Sequence, residues 1–257
     1  MLEKITPLIL TFNEAANINR TLQRLTWAQT IIVVDSYSTD ETIEILQSYP
    51  QVQILQREFD SFASQCNYGL SNIKSEWVLS LDADYIMSEE LVDEIKVLPK
   101  NRTVDSYIVR FKYCVFGKPL RGTLYPPRKV LYRKAKAVYQ EDGHAHRVYV
   151  DGESSSLSSF IYHDDRKPLD RWLKAQNNYM VIEAKKILET PASELSFSDR
   201  IRRKRIIAPL LVLFYCLIIK RGILDGWIGL YYTLQRTLVE ILLSIHLIEN
   251  KKLKQNF

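Results

Sequence analysis

An apolar run that ends in two closely spaced acids is the first feature of this sequence with a chemical use. The run WVLSLDADYI covers residues 77–86 and places Asp82 and Asp84 two positions apart. In an extended chain, side chains at i and i+2 project to the same side, so both carboxylates can face one site. Paired hard oxygens suit Mg²⁺ or Mn²⁺, and these ions also accept phosphate oxygens. The spacing predicts a divalent metal site that holds a diphosphate, with solvated turn acids as the alternative.

Polar side chains also follow two earlier apolar runs. ITPLILT leads into Asn13 and Glu14, and IIVVD ends at Asp35. Three acids at strand ends of one sheet, Asp35, Asp82 and Asp84, repel each other unless a cation lies among them. A bound metal ion would meet this need.

Helix capping is a simpler interpretation of part of this pattern. Asn13 and Ser38 are both good N-cap residues, and Ser38 can form a capping box with Glu41. Capping explains these two residues but leaves the three acids unexplained.

Short apolar runs alternate with helix-period segments over the first hundred residues. The order of ITPLILTF, IIVVD, VQIL and WVLSL, with helical segments between them, predicts alternating strands and helices. Such α/β alternation favours a mainly parallel sheet with both faces covered, and ligands bind beyond the carboxyl ends of its strands. The Ser-rich stretch at residues 151–159 is predicted to be a loop or an exposed hairpin.

The common phosphate-binding loops are absent from the sequence. It contains neither G-x-G-x-x-G nor G-x-x-x-x-G-K-[ST], and only eight glycines in all. Phosphate is therefore expected to be held by a metal ion and by cationic side chains.

The sequence resembles the inverting GT-A glycosyltransferases of family 2. The matching segments are LTFNEAANI, VVDSYSTDET, SQCNYGL and WVLSLDAD, in the same order and spacing. Within that family it is similar to the bacterial β-glucosyltransferases of lipopolysaccharide core assembly, which continue with segments like YPPRKVLYRK, EDGHAHRV and HDDRKPLDRWLKAQNNY. The resemblance covers nearly the whole chain and departs from the family at Tyr85 and Cys66. It implies a GT-A fold, in which helices flank one Rossmann-like, mainly parallel sheet.

The resemblance also implies a nucleotide-sugar site and a metal site. Asp35 would accept a hydrogen bond from the pyrimidine of a UDP-sugar, and Asp84 would bind Mn²⁺ or Mg²⁺ directly. His163 is the preferred third metal ligand and His144 is the alternative. The alternative for Gln65 and Asn67 is an ordinary polar helix face. The alternative for Arg128 is a solvated basic strand edge. The residues assigned to the donor site are Thr11, Phe12, Glu14, Asp35, Gln65, Asn67, Asp82 and Arg128.

An inverting transfer needs one carboxylate as a general base, because the acceptor hydroxyl loses its proton as it attacks the anomeric carbon. The segment QEDGHAHRV supplies Glu141 and Asp142 after an apparent strand. The resemblance assigns the base to Asp142, with Glu141 as the next candidate. Asp-Gly is also a strong turn signal, so the segment is expected to include a tight turn.

The chain has 257 residues, of which 46% are hydrophobic and 25% are charged. A chain of this length and hydrophobic content can bury a full-sized core. Cys66, Cys114 and Cys216 show no C-x-x-C spacing, which predicts reduced, packed thiols rather than disulfides. The N-terminal segment carries acids and lacks an apolar core region, which predicts no signal peptide and a cytoplasmic start.

The tail is basic and apolar. From Arg200 onward there are eleven Lys and Arg against three acids. The basic run RIRRKR at 200–205 precedes an uncharged run of fourteen residues at 206–219, which is shorter than the roughly 20 residues of a spanning helix. A second apolar helix is expected from Trp227 to Ile245. These features predict a C-terminal helical extension, residues 200–257, on an anionic membrane surface, after a catalytic domain at 1–199.

Three other interpretations of the tail were weighed. Two core helices of a compact domain, or a dimer interface, would also show this apolar spacing. Nucleic acid is not expected as a partner, because the basic run lacks interleaved aromatic residues. The predicted location is cytoplasmic, on the inner face of the cytoplasmic membrane.

The expected function is metal-dependent, inverting transfer of a sugar, glucose from UDP-glucose, to a glycolipid or lipid-linked glycan such as lipopolysaccharide core. A polyprenyl-phosphate sugar transferase would use the same donor site and is the first alternative. The second is a non-catalytic nucleotide-sugar or membrane-binding module. A nucleotidyltransferase is not expected, because LTFNEAAN lacks a Gly-rich basic loop.

Overall fold

The computed structural model describes residues 1–99, 103–142 and 145–253, with only the backbone defined for residues 142, 145, 146 and 251–253. It contains two compact units: residues 1–117 with 125–166, and residues 118–124 with those from 167 onward. The second unit therefore begins earlier than the predicted extension at residue 200. The reason is that the long helix after Pro168 packs against the C-terminal helix.

The first unit begins with the predicted alternation of strands and helices, which the structure confirms. Its elements are β1 (Ile5–Thr11), α1 (Ile18–Leu22), β2 (Ile31–Asp35), α2 (Thr42–Gln47), β3 (Val52–Gln56), α3 (Phe62–Asn72) and β4 (Trp77–Asp82). The strands β3, β2, β1 and β4 lie side by side and run parallel. Thr11 is opposite Asp35, and Leu10 is opposite Asp82, so these three strands end at one edge.

Four of the remaining strands extend the sheet beyond β4. The elements are β5 (Tyr85–Met87), α4 (Glu89–Lys96), β6 (Val104–Val115), β7 (Lys118–Pro119, in the second unit), β8 (Arg128–Arg133), β9 (Ala137–Asp142), β10 (Ala145–Val150) and β11 (Glu153–His163). The main sheet has the order β3-β2-β1-β4-β8-β6-β11-β5. β6 and β11 are parallel, whereas β8 and β5 run antiparallel to their neighbours. β9 and β10 form a separate antiparallel pair.

The loop or hairpin predicted for residues 151–159 is wrong over most of its length. Residues from Glu153 onward belong to β11, which pairs with β6 on both sides of an irregularity between Ser156 and Phe160. Leu157 and Ile161 are buried in the core, and the hydroxyl of Ser154 is 2.8 Å from that of Ser106 on β6. The serines are accommodated because all of them are exposed or half-buried, whereas Leu157 and Ile161 face the core.

The core lies on both faces of the parallel strands. The central strands β1, β2 and β4 are almost fully buried, as expected for a parallel sheet with helices on both sides. All three cysteines are buried and unpaired, which confirms the prediction of packed thiols, and burial raises the pKa of Cys114 to about 12.

The second unit is helical after residue 168. It contains α5 (Leu169–Glu189), α6 (Phe197–Arg203), α7 (Ile207–Phe214), a π-helical turn (Tyr215–Ile219), a 3-10 turn (Gly222–Asp225) and α8 (Gly226–Leu253). Its core lies between α5 and α8 and includes Met180, Ala184, Ile187, Val239, Leu243 and Leu247. Among the described helices, none is long and apolar enough to cross a membrane alone. One pair, Ile207–Ile219 with Gly222–Asn250, meets the criteria of length and composition jointly and is bent by 63°.

Candidate active site

The ends of β1 and β2 are joined through a buried carboxylate. Asp35 is fully buried, and its Oδ1 accepts hydrogen bonds from Thr11 Oγ1 at 2.9 Å and from Ser38 Oγ at 2.5 Å. Its Oδ2 accepts a third from the backbone N–H of Ser38 at 2.9 Å. Asp35 therefore shapes the loop after β2, and its predicted contact with a pyrimidine stays a prediction.

The residues predicted as helix caps have a different role. Asn13 adopts a left-handed backbone conformation with φ 56°, and its Oδ1 accepts hydrogen bonds from the N–H groups of Thr39 and Asp40. The backbone N–H of Asn13 donates to Ser38 Oγ at 2.7 Å. α1 begins after Asn17 and α2 after Glu41, so the capping predictions, including the capping box, are wrong. These side chains instead fix the loops after β1 and β2 to each other.

The predicted nucleoside-pocket residues lie on the same loop. Phe12 is exposed at the end of β1. The backbone N–H of Glu14 donates to Thr42 Oγ1 at 2.7 Å, and the Glu14 carboxylate accepts a hydrogen bond from Asn17 Nδ2 at 2.9 Å. The structure therefore places Thr11, Phe12 and Glu14 at the carboxyl edge of the sheet, as predicted.

Asp84 of the DxD sequence contacts a histidine at the end of β11. Asp82 ends β4, and β5 begins at Tyr85, which pairs with His163. The pairing places His163 Nε2 3.1 Å from Asp84 Oδ2. The backbone N–H of Asp164 donates to the carbonyl of Asp84 at 3.1 Å. Residues about 80 positions apart in sequence are thereby brought together, as the metal-site prediction requires.

The donor chemistry of Asp82, Asp84 and His163 fits a divalent cation, because two carboxylates and an imidazole are suitable ligands for Mn²⁺. Within the described ranges no three His, Cys, Asp or Glu side chains are arranged as a complete metal site. His163 is buried, which disfavours its charged form, but Asp84, Asp82 and Asp165 outweigh this effect and raise its pKa. Its Nδ1 is buried without a hydrogen-bond partner among the described residues.

Aromatic rings enclose His163. The ring centroids of Tyr125, Tyr113 and Tyr85 lie 4.6, 4.8 and 5.2 Å from that of His163. The hydroxyls of Tyr85 and Tyr125 form a hydrogen bond with each other. In the sequence, Tyr85 stands out only as a departure from the family. Tyr125 precedes a Pro-Pro pair, and this position was the only sign of its role. These rings limit the access of water to the imidazole.

Arg128 supplies a cation beside the same acids. Its guanidinium lies 4.8 Å from the ring centroid of Tyr125. Burial disfavours its charge, but Tyr85, Tyr125, Asp82 and Asp84 together raise its pKa. Arg128 is therefore close enough to offset part of the repulsion between the carboxylates.

A second network, which sequence analysis missed, fixes the segment after β11. The buried Asp164 carboxylate accepts from Arg20 Nη1 at 2.5 Å, from Arg166 Nε at 2.9 Å and from the backbone N–H of Gly117 at 3.2 Å. Asn17 Oδ1 accepts from the backbone N–H of Arg166 at 2.9 Å. The network ties α1 to the residues that follow His163 and so helps to hold His163 at Asp84.

Gln65 reaches the carboxyl edge, where its Nε2 donates to Ser36 Oγ just after β2 at 3.3 Å, whereas Asn67 contacts β9. Gln65 is buried, and its Nε2 donates to the carbonyls of Arg57 and Glu58 at 3.2 and 2.9 Å. Asn67 makes two hydrogen bonds to the backbone of Tyr139, both at 3.0 Å. Both amides help to hold α3 in place, and their predicted contact with a donor stays a prediction.

The predicted base lies at the end of β9. Asp142 is the last residue of β9 and is opposite Ala145 of β10, in agreement with a hairpin at Asp-Gly. The side chain of Glu141 is exposed. The Asp142 side chain and the whole of His144 lie outside the described residues, so their predicted roles stay predictions.

Comparison with known proteins identifies the family. The model of glycosyl transferase family 2 matches residues 8–149, more than half of the chain. The chain belongs to glycosyl transferase family 2. This confirms the resemblance noted in the sequence. The matched range includes Thr11, Asp35, the DxD acids and Arg128, whereas His163 lies beyond it.

Relatives of this family 2 chain cover different parts of it. An uncharacterized glycosyltransferase of Rickettsia bellii is 35% identical over 107 residues, 41% of this chain and 36% of that protein. The chain therefore matches about a third of that relative's length. The lipopolysaccharide core biosynthesis glycosyltransferase LpsC of Rhizobium meliloti is 24% identical over 200 residues, 72% of each chain.

Solved structures share the fold. A mannosyltransferase of Pyrobaculum calidifontis, in complex with GDP-mannose and Mn²⁺, gives a TM-score of 0.54 at 13% identity over 96% of this chain and 88% of that one. Residues 1–349 of TarS of S. aureus, in complex with UDP-GlcNAc, give 0.52 at 15% identity over 96% and 91%. At this identity the likeness concerns the fold, and this family 2 chain has the GT-A fold.

Proposed function

We propose that this chain transfers a sugar from a nucleotide sugar to a membrane-borne glycan, with inversion at the anomeric carbon. The observation that carries the proposal is the contact of Asp84 with His163 at the carboxyl edge of the parallel strands, next to the start of β8, where Arg128 lies. This edge is where ligands of open α/β sheets bind, and its charges suit a metal ion and a diphosphate.

The donor site is proposed to divide into a nucleoside part and a diphosphate part. Thr11, Phe12 and Glu14, at the end of β1, would contact the nucleoside, and Asp35 holds the neighbouring loop. Asp82, Asp84 and His163 would hold Mn²⁺ or Mg²⁺, and Arg128 would carry a second positive charge. A bound divalent ion supplies stabilisation of the negative charge on the departing diphosphate. The complexes of two structural neighbours with nucleotide sugars support this division.

The chemical step is proposed to use Asp142 as the base. The acceptor oxygen forms a bond to the anomeric carbon while the bond from that carbon to the diphosphate breaks. The acceptor hydroxyl proton moves to the Asp142 carboxylate. Attack from the face opposite the diphosphate inverts the anomeric carbon. Glu141, one residue earlier, is the alternative base.

The donor is proposed to be UDP-glucose and the acceptor a lipopolysaccharide core glycolipid. The support is the resemblance of the later segments to core glucosyltransferases and the similarity to LpsC over 72% of the chain. A polyprenyl-phosphate acceptor and a non-catalytic binding role are the competing proposals.

Product analysis tests this proposal. The full chain is incubated with UDP-glucose and Mn²⁺ and with either a truncated core glycolipid or a polyprenyl phosphate, and UDP release and product are measured. We expect acceptor-dependent UDP release with the glycolipid and a β-glucoside by proton NMR. An α-linked product would contradict inversion. Transfer only to polyprenyl phosphate would replace the acceptor class, and no turnover with any nucleotide sugar or acceptor would support a binding module.

A further inference from the structure

We propose that an apolar face of the second unit binds the surface of an anionic lipid bilayer. Two groups of exposed side chains make up this face. On α7 and the turns that follow it are Leu210, Phe214, Ile218, Ile219, Ile223 and Leu224. On α8 are Trp227, Leu230, Leu234, Leu238, Ile241 and Ile245. We call these residues the apolar face.

The apolar face is distinct from the core of its own unit. α8 buries Ile228, Tyr232 and Val239 on one side, whereas the residues of the apolar face recur every three or four positions on the other. Ile223 and Trp227 are 67% and 61% exposed. Exposed apolar residues are ordinary when scattered, but a continuous helical face of this kind marks a binding surface.

Cations flank the apolar face on both sides of α7. Arg203 and Lys204 precede α7, Arg221 follows the π-helical turn after α7, and all three are exposed. Lys220 places its Nζ 5.5 Å from the ring centroid of Tyr215, so its stem lies along apolar surface as in a snorkelling lysine. Apolar side chains bordered by Lys and Arg are typical of helices that lie in the interface of anionic membranes.

Two acids near the apolar face are already paired with cations. Asp225 forms an ion pair with Arg121, whose Nε lies 3.2 Å from Asp225 Oδ1, and Glu240 accepts from Arg202 Nη2 at 2.8 Å. Arg202 belongs to the basic run, yet its partly buried guanidinium is held by Glu240. The structure therefore removes Arg202 from the cations predicted to meet lipid and leaves Arg203 and Lys204. The exposed charge at both ends of the α7 segment is positive, and the exposed Glu249 lies one turn of α8 beyond Ile245.

The apolar face is fixed in shape within the second unit. Gly222 and Gly229 allow the 3-10 turn to contact α8 closely, since a Cβ at Gly229 would lie 1.9 Å from the carbonyl oxygen of Gly222. Arg205 and Arg221 adopt left-handed backbone conformations, with φ 67° and 60°, at the two ends of the apolar segment. The carbonyl of Arg205 accepts a hydrogen bond from Ser244 Oγ at 2.6 Å. A surface that is already ordered loses less entropy on binding.

A bilayer surface fits the face better than a second copy of the chain. A second copy would bring the same cations, and residues 200–224 contain no acid to meet them, while the exposed Glu249 lies beyond the last residue of the stripe on α8. Anionic lipid covers both helices at once and supplies the opposite charge.

This inference extends the proposed function, because an enzyme bound to a membrane meets a membrane-borne acceptor. It does not depend on catalysis. Vesicle binding and sugar transfer are separate measurements, so either proposal can fail while the other holds.

The charge contribution is tested by co-sedimentation of the full chain with sucrose-loaded vesicles of phosphatidylcholine, with or without phosphatidylglycerol. We expect tighter binding to the anionic vesicles, weakened by salt. R203Q/K204Q should lower the affinity for anionic vesicles by roughly fivefold for each cation removed. K174Q/K185Q removes two exposed lysines from α5 and should have little effect. An equal loss in both variants would contradict the assigned surface.

The apolar contribution is tested by I219Q/I223Q, whose side chains are exposed, so that folding should be preserved. We expect a loss of binding to both vesicle types of at least about tenfold. V181Q/I182Q alters two exposed apolar residues of α5 and is the matched control. Trp227 adds a positional readout: quenching of tryptophan fluorescence by brominated lipid should fall in W227F.

Two results would overturn the inference. One is the absence of vesicle binding by the unaltered chain, whatever the lipid. The other is a dimer in sedimentation velocity that I219Q/I223Q converts to monomer while vesicle binding is unchanged, which would make the apolar face a contact between copies.

Discussion

Asp84→Asn is expected to lower the rate of sugar transfer by about 10³-fold or more while the chain stays folded. Asn keeps the size of the side chain and an oxygen that can face His163, but it removes the charge of the ligand that lies closest to the imidazole. Loss of one charged ligand weakens both metal affinity and the hold on a diphosphate. The measurement is nucleoside diphosphate release over a range of Mn²⁺ concentrations.

Asp93→Asn is the matched control for this variant. Asp93 is an exposed acid on α4 that forms a surface ion pair with Lys96, so its loss should change neither turnover nor the Mn²⁺ dependence. A wild-type rate and an unchanged Mn²⁺ requirement in Asp84→Asn would contradict the metal-site assignment.

Asp142→Asn separates the chemical step from binding. The substitution removes the proposed base and keeps its shape, so kcat should fall by roughly 10²-fold or more while the affinity for nucleotide sugar stays near that of the unaltered chain. Steady-state kinetics and donor binding by calorimetry are measured on the same preparation.

Glu141→Gln is the comparison for the base assignment. Because the Glu141 side chain is exposed, we expect this variant to keep most of its activity. A large loss in Glu141→Gln with little loss in Asp142→Asn would move the base to Glu141.

The carboxyl edge of the sheet was predictable because its signals are local. Asp35 and Asp82 each end an apolar strand, and parallel alternation places such ends side by side without knowledge of any long-range contact. The partnership of Asp84 with His163 was expected only from the family resemblance. It depends on antiparallel pairing between β5 and β11, for which the sequence carries no local sign.

Other features of the site were not predictable from local pattern. β11 has an irregular register between Ser156 and Phe160, and the polar Ser159 lies between its buried residues Leu157 and Ile161, so the sequence shows no regular apolar alternation there. Asp164 meets Arg20, and these residues are 144 positions apart. Such pairs follow from the assembled sheet rather than from either segment alone.

The amides of α3 show what a sequence pattern leaves open. The sequence places Gln65 and Asn67 on a helix near the donor edge, and the structure uses both to bind backbone groups. An amide on a helix gives the same signal whether it contacts a ligand or a neighbouring loop, because only the position of that loop decides between them.

The central claim is that the edge formed by Asp82, Asp84, His163 and Arg128 binds a nucleotide sugar with a divalent ion. Thermal unfolding of the full chain and of Asp84→Asn, with UDP-, GDP-, dTDP- and CMP-sugars and with or without Mn²⁺, tests it most directly. A ligand at 100 times its dissociation constant adds about 2.7 kcal/mol, which corresponds to an increase in Tm of roughly 5–10 °C. We expect this increase in Tm for the unaltered chain with a UDP-sugar and Mn²⁺ together. We expect no increase in Tm for Asp84→Asn under the same conditions. No increase with any nucleotide sugar, or an equal one in Asp84→Asn without Mn²⁺, would contradict it.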